Sequence, residues 1–347
     1  MKSNAGSLRP VVGITIGDAA GIGPEISLKA VADRAIAKEC RPVLIGDRAY
    51  LEKAARQVDL PLRLIPFTDK PEIDAVEVVD MSNLPADIPT GEDTAATGRA
   101  SAENIETAVR LCTEGRIDAI ATAPISKKAI SLGGFDFPGH TEFLAELTGT
   151  RDFAMSFFAD QLRVVLLSTH VSLRNAIELV TTEKLTALIR FTDRELSKLL
   201  SKRVRIAVAG LNPHASEQGM FGDEEEREIA PAIESCRSQF SIDVSGPYSP
   251  DTIFLRGHRG DFDAVVACYH DQATIAVKSL SFGASVNVTL GLPIIRTSVD
   301  HGTAYDIAGR GVADPSSMKA AVRLAGELAR IKASQSVPHS AASDAVS

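Results

Sequence analysis

Cysteine is scarce and dispersed. The 347 residues hold only Cys40, Cys112, Cys236 and Cys268, with no Cys-x-x-Cys spacing, which excludes a zinc knuckle and a disulfide framework. Reduced thiols of an intracellular protein are the expectation. A basic excess is missing too: 37 Lys and Arg stand against 45 Asp and Glu, for a net charge of -8. Nucleic acid and anionic membrane both ask for a basic face, so neither is expected as a partner. A small anionic ligand remains open, because it needs only a few local cations. No apolar run approaches the length of a membrane span, and Met1–Pro10 lacks the apolar core of a signal peptide, so a cytoplasmic location is expected. The dinucleotide fingerprint is also absent. Gly17, Gly21 and Gly23 fall as G-x-x-x-G-x-G, and no acidic partner follows a second strand at the right distance.

What is present alternates between strand and helix. Val11–Ile16 reads as a strand, Gly17–Glu25 as a glycine loop, and Ile26, Ala30 and Val31 as the apolar face of a helix that Pro24 and Glu25 open well. Pro42–Gly46, Leu60–Pro66, Ala75–Val79 and Ile117–Ala121 continue the strands, and Ala102, Ile105, Ala108, Val109 and Cys112 share a helical face ending before Gly115. After Ile117–Ala121 come Lys127 and Lys128, which could reach a ligand or sit solvated at a helix start. Gly134–Glu142 reads as a loop that places His140 and Thr141 just before a helix Phe143–Leu147, where open amide donors favour anions; Thr141 also suits an N-cap. Thr182 is expected to cap a helix running to Leu200. A chain of this length accommodates two α/β domains. Ser334–Ser347, rich in Ser and Ala without periodicity, reads as a disordered tail.

Two stretches carry chemistry. Three apolar runs end in histidine: Arg163–Thr169 before His170, Val204–Leu211 before His214, and Ala264–Tyr269 before His270. In a parallel sheet ligands gather beyond the carboxyl ends of the strands, so three imidazoles there point to one divalent metal site with a position left for substrate. Such a metal would polarise a hydroxyl or carbonyl oxygen. His258 and His339 follow no strand. The other stretch is Val286–Asp314. Its runs Val286–Leu292 and Ile294–Val299 deliver a loop, Asp300–Gly311, dense in Gly and short polar residues, that lets a backbone approach a ligand.

The loop His301-Gly-Thr-Ala-Tyr-Asp-Ile-Ala-Gly-Arg-Gly resembles the adenine-side loop of the isopropylmalate and isocitrate dehydrogenase superfamily, which binds NAD(P) without a Rossmann fingerprint. Eight ordered blocks, Gly17–Glu25, Thr122–Lys127, Pro138–Glu142, Ser168–Leu173, Leu211–Glu217, Gly246–Phe254, Tyr269–Gln272 and Asn287–Gly311, resemble the 4-hydroxythreonine-4-phosphate dehydrogenase family. The resemblance implies an α/β/α fold of two domains around a central cleft, with residues 10–130 plus 288–333 forming the first and 131–287 the second. It implies a homodimer with its active site at the subunit interface. It implies NAD, with NADP as the other candidate, bound by His301, Gly302, Ala304, Asp306 and Gly309. His170, His214 and His270 become the metal ligands, one or more reaching across from the second subunit, with zinc preferred to magnesium, manganese or cobalt. Substrate contacts fall on His140, Thr141, Lys278, Asn287 and Arg296, and the general base on Asp251, His140 or Lys278, Asp251 being favoured. Ala19, Pro138-Gly-His-Thr, Ser168-Thr-His-Val-Ser-Leu and Asp306-Ile-Ala-Gly resemble the branch acting on 4-phospho-D-threonate or 4-phospho-D-erythronate, while Ser216 and Ala273–Ala276 depart from the family's usual residues.

The reaction this implies is metal-assisted oxidation of a phosphorylated hydroxy acid by NAD, followed by loss of carbon dioxide. A cis-dihydrodiol dicarboxylate dehydrogenase is the alternative within that chemistry. A metal-dependent phosphohydrolase is the alternative from another class, and it leaves His301–Gly311 without a purpose.

Overall fold

The computed structural model describes residues 9–281 and 283–335. Twelve strands form one sheet: β1 Val11–Thr15, β2 Arg41–Gly46, β3 Leu64–Pro66, β4 Val76–Asp80, β5 Ala119–Thr122, β6 Ala154–Ala159, β7 Leu162–Leu166, β8 Ile206–Ala209, β9 Val244–Tyr248, β10 Ala264–Ala267, β11 Val286–Leu290 and β12 Arg296–Ser298. They lie in the order β3-β4-β2-β1-β5-β12-β11-β6-β7-β10-β8-β9. Both flanks are parallel, and the centre is not: β11 runs antiparallel to β12 and to β6, and β6 antiparallel to β7. Every residue of β5, β8 and β10 is buried, as expected of strands covered by helices on both faces. The α/β architecture with a large central sheet is therefore the one expected. The expected boundary at 287/288 falls inside β11.

Local chemistry explains where the elements begin. Asp33, Asp47, Thr94, Ser126 and Ser172 each cap a helix by accepting an amide hydrogen with the side chain. Thr181 does the same for Thr182–Leu200, so Thr182 is the first helical residue and not the cap. Its own hydroxyl bonds Glu228 instead, which explains the shift of one position. The helix expected over Phe143–Leu147 begins earlier, at His140. Gly139 is extended there and supplies no side-chain cap, so His140 and Thr141 form the first turn and do not precede it. Helix Ser316–Gln335 lies across β12, β5, β1 and β11. Ser334 and Gln335 complete this helix, contrary to the tail expected from 334 on, while the rest of that stretch lies outside the described residues. Among the described residues all four cysteines are free, and burial pushes the Cys268 thiol up to about 12.

The glycine loop after β1 is structural in its close contacts. A Cβ on Gly17, at φ +67°, would sit 2.2 Å from the Pro124 carbonyl, and one on Gly21 would sit 2.8 Å from the Thr303 carbonyl. The second contact brings the loop against Asp300–Gly311, where the Ile22 amide donates to the Thr303 carbonyl at 2.9 Å. Glu25, buried in helix Gly23–Val31, clamps the far end of the same segment. Its carboxylate accepts from the Gly311 and Ala313 amides at 3.2 and 2.8 Å and from Lys29 at 2.8 Å, while Lys29 also donates to the Gly311 and Ala313 carbonyls. Glu25→Ala strands a buried amide and a lysine at once, with an expected loss of about 3 kcal/mol of stability. Chemical denaturation is the check, and an unmoved midpoint would remove the clamp from the account.

Candidate active site

Three adjacent parallel strands, β7, β10 and β8, bring their carboxyl ends to one edge of the sheet. Side chains lace those ends together. Ser168, after β7, donates to the Cys268 carbonyl at 3.0 Å, and Gln272, after β10, donates to the Gly210 carbonyl at 2.7 Å and accepts from the Cys268 amide. Beyond the laces stand the three histidines. The His170 and His270 rings lie 5.9 Å apart between centroids. His214 stays with a different set: its ring faces Phe221, and it lies near enough to Asp251 to favour that residue's carboxylate. His214 opens a run, His214–Gln218, in which every residue is left-handed with φ from 46° to 65°. Such a run is costly for L-residues. The buried Glu225 anchors its start, accepting from the Leu211 and Asn212 amides at 2.8 and 2.7 Å.

Within one protomer, among the described residues, no three His, Cys, Asp or Glu side chains gather as a ligand set. Two of the three expected imidazoles do meet. With metal–nitrogen bonds of about 2 Å, two imidazoles on one ion place their centroids about 5 to 6 Å apart, so the His170–His270 pair fits a shared cation. His270 Nδ1 also lies 2.7 Å from Asp271 Oδ1, a contact that engages Nδ1 and would leave metal binding to Nε2.

A cavity of about 350 Å³ opens beside this pair, and His170 is part of its wall. Of the substrate residues expected from sequence, His140, Thr141, Asn287 and Arg296 line it, together with His301 and Gly302 from the loop Asp300–Gly311. Lys278 is outside the wall but ion-pairs at 3.6 Å with Asp300, which is in it. Asp251 is exposed at the start of helix Pro250–His258, where the Ser249 hydroxyl donates to it and holds its carboxyl below the usual range; it is not part of the wall. Lys127, which sequence left undecided, does line the cavity, whereas Lys128 turns to Asp93 at 3.5 Å.

Arg296 is the anomaly of the site. Its guanidinium is buried in the middle of the sheet and donates only to neutral oxygens: Thr122 at 2.9 Å, Thr289 at 3.0 Å and Asn287 at 3.4 Å. Burial pushes it down to about 9, so it is still charged at neutral pH. Among the described residues no carboxylate lies within ion-pair distance, and its Nε has no hydrogen-bond partner. A buried cation in this state is costly unless an anion arrives. His140 is beside it in the cavity wall, with a buried Nε2 that is likewise unpartnered. Burial first, and Arg296 second, hold this imidazole well below 6.5, so it is neutral at physiological pH. The native state then binds fewer protons at His140 than the unfolded chain. Stability from this residue is present above 6.5 and lost as pH falls toward the depressed value. His140→Gln should flatten that part of the stability–pH curve, and an unchanged slope in the variant would contradict the assignment.

The loop Asp300–Gly311, expected from sequence to seat a nucleotide, has the openness its glycines suggest. Nothing lies within 4 Å of where a Cβ would stand on Gly302, and at Gly309, φ +71°, only Thr90 approaches, at 3.5 Å. Ala304 is left-handed at φ 42°, while Asp306 and His301 are exposed. A nucleotide can thus come close to this backbone, and the loop fits the group. The residue that sequence reasoning passed over here is Tyr305, whose hydroxyl stands 2.9 Å from both Asp18 and Asp93.

Comparison with known proteins shows which family the chain belongs to. A family model, "Pyridoxal phosphate biosynthetic protein PdxA", matches residues 38–325. D-threonate 4-phosphate dehydrogenase of Cupriavidus necator is 46% identical over 329 residues, 93% of this chain and 98% of that one. 4-hydroxythreonine-4-phosphate dehydrogenase of Desulforapulum autotrophicum is 46% identical over 329 residues, 93% and 96% of the two chains. The crystal structure of 4-hydroxythreonine-4-phosphate dehydrogenase from Klebsiella pneumoniae superposes with a TM-score of 0.85 at 41% identity, covering 92% of this chain and 99% of that one. With the model spanning most of its length and such relatives along nearly all of it, this chain belongs to the PdxA family of pyridoxal phosphate biosynthetic proteins.

Proposed function

We propose that the protein is an NAD-dependent, divalent-metal-dependent dehydrogenase that oxidises and decarboxylates a 4-phosphorylated hydroxy acid, 4-phospho-D-threonate or 4-phospho-D-erythronate before 4-phosphohydroxy-L-threonine. The observation that carries it is Arg296, a buried guanidinium in the cavity wall with no ion-pair partner among the described residues, which asks for the anionic end of a substrate. The names of both relatives support a phosphorylated hydroxy acid as that substrate. Walls drawn from 124–142, 155–170 and 287–302 support a cleft between two domains.

Residue roles follow from position. Arg296 and Asn287 bind the anion, and Thr141, in the first turn of its helix, helps orient it. Neutral His140 can take a proton at Nε2 or give one from it, according to tautomer. Lys278, held by Asp300, adds positive charge at the rim. His170 and His270 would hold the cation on this side, and His214 would complete the set from a second subunit, bringing Asp251 with it as base. Exposed Val171, Leu173 and Ile177 after His170, Met220 and Phe221 after His214, and Ile275 after His270 support such a homodimer, since exposed apolar side chains follow each of these histidines along the chain. When bound, NAD supplies the hydride acceptor and the divalent cation, zinc before magnesium, manganese or cobalt, supplies the Lewis acid that makes the hydroxyl acidic and eases departure of carbon dioxide. His301, Gly302, Ala304, Asp306 and Gly309 would seat the nucleotide. The reading includes a cytoplasmic location, supported by the four free cysteines.

The test is a panel of phosphorylated and unphosphorylated four-carbon hydroxy acids and a cyclic dihydrodiol, followed by NADH absorbance. Reduction with the phosphorylated acids alone is expected. Phosphate release without NAD reduction would establish a hydrolase instead.

A further inference from the structure

One phenol stands between two carboxylates. Tyr305, inside the loop Asp300–Gly311, has its hydroxyl oxygen 2.9 Å from Asp18 Oδ2 and 2.9 Å from Asp93 Oδ1. A phenol has a single hydrogen to donate, so if both acids are ionised one contact is a bare oxygen–oxygen repulsion. The arrangement closes only with one more proton. We infer that Asp18 carries that proton, donating it to the Tyr305 oxygen while Tyr305 donates to Asp93, and that this relay is what seats the loop for the adenine side of NAD. The seating role rests on the cofactor assignment above; the proton count does not.

The surroundings choose which acid is neutral. Asp18 is wholly buried after β1, and burial outweighs its hydrogen-bonding contacts with the Ala20 amide, the Tyr305 phenol and the Thr97 hydroxyl, so its carboxyl is held above its ordinary value of 3.8. Asp93 is partly open, accepts from the Ser126 hydroxyl and faces the Lys128 ammonium at 3.5 Å, and it is held low. Tyr305 is pushed upward by burial and keeps its own hydrogen. Tyr50, whose hydroxyl bonds the Ala19 carbonyl, is the other titratable group near Asp18, pushed up to about 12. Among the described residues no cation faces Asp18 directly. Lys128 reaches it only through Asp93 and the phenol.

The geometry makes Asp18 a positioning residue. Tyr305 follows left-handed Ala304 and precedes Asp306, so its hydroxyl fixes the middle of the loop, as the Ile22–Thr303 bond and the Glu25 clamp fix its two sides. With the folded pKa of Asp18 raised, the stabilisation is complete below the ordinary 3.8 and is lost as pH rises through the raised value. Two facing carboxylates then push the phenol, and the loop with it, out of place.

The experiment is hydrogen exchange at the amides of 301–309 in the full chain without cofactor, corrected for intrinsic exchange, together with calorimetric titration of NAD across pH. Protection should fall with rising pH in the wild type. In Asp18→Asn, whose amide donates to the phenol at every pH, protection should become independent of pH. In Tyr305→Phe it should be lower by about tenfold throughout, with NAD bound about tenfold more weakly, the worth of one buried hydrogen bond. A flat wild-type profile, or the same slope in Asp18→Asn, overturns the shared proton whatever NAD does. PH-dependent protection in a protein that binds no NAD overturns the nucleotide assignment and leaves the shared proton standing.

Discussion

Arg296→Met is expected to lower kcat/KM for a phosphorylated hydroxy acid about a thousandfold without lowering the melting temperature. Two charge-assisted hydrogen bonds at about 2 kcal/mol each amount to about 4 kcal/mol, or roughly three powers of ten. Stability moves the other way because of where the cation sits. Buried in the sheet among Thr122, Thr289 and Asn287, with no ion-pair partner among the described residues and only the Glu142 carboxylate of the cavity wall favouring its charge from farther off, it imposes a desolvation cost that methionine of similar length removes. Loss of function with equal or gained stability marks a residue kept for its ligand. Arg296→Lys sharpens the test, since a point charge replaces a planar fork and should recover only part of the rate. Kinetics unchanged in Arg296→Met would remove the residue from the substrate site, and with it the main support for an anionic substrate.

Stripping divalent metal is expected to have an effect of comparable size. Dialysis against chelator should reduce NAD reduction by a thousandfold or more, by the rough measure of several kcal/mol that a Lewis acid contributes. Zinc or a neighbouring ion should restore it. Asp271→Asn offers a graded version, because Asp271 holds His270 Nδ1 and so sets which nitrogen faces outward. A loss of about 10- to 100-fold in metal affinity is expected, read by metal content after stepwise chelation. Full turnover in metal-free protein would end the role assigned to His170, His214 and His270.

Much of this site could be read before the fold was known, for physical reasons that differ from residue to residue. The histidines were legible because an apolar run that stops at a polar residue marks a strand end, and β7, β10 and β8 do lie side by side. Their final distances were not, because the loops after the strands decide them. A left-handed run beginning at His214 carries no glycine before Gly219, and so leaves no mark in sequence. The start of the His140 helix was placed three residues late because Gly139 enters it without a capping side chain. β6 escaped notice because its hairpin to β7 turns on Asp160 and Gln161, without the Asn-Gly or Asp-Gly pair that advertises such a turn. Arg296 was legible as a contact by resemblance. Its burial came only from β12 lying in the centre of the sheet between β5 and β11.

That central position also bears on dissection of the protein. β11 is paired with β6 along five residues and with β12 along two, and a cut between 287 and 288 would pass through it. Either fragment, expressed by itself, would present a raw strand edge to its neighbours in solution, an invitation to edge-to-edge aggregation. The natural places to nick or extend this chain are its loops, and fusion partners or tags belong there or at the termini.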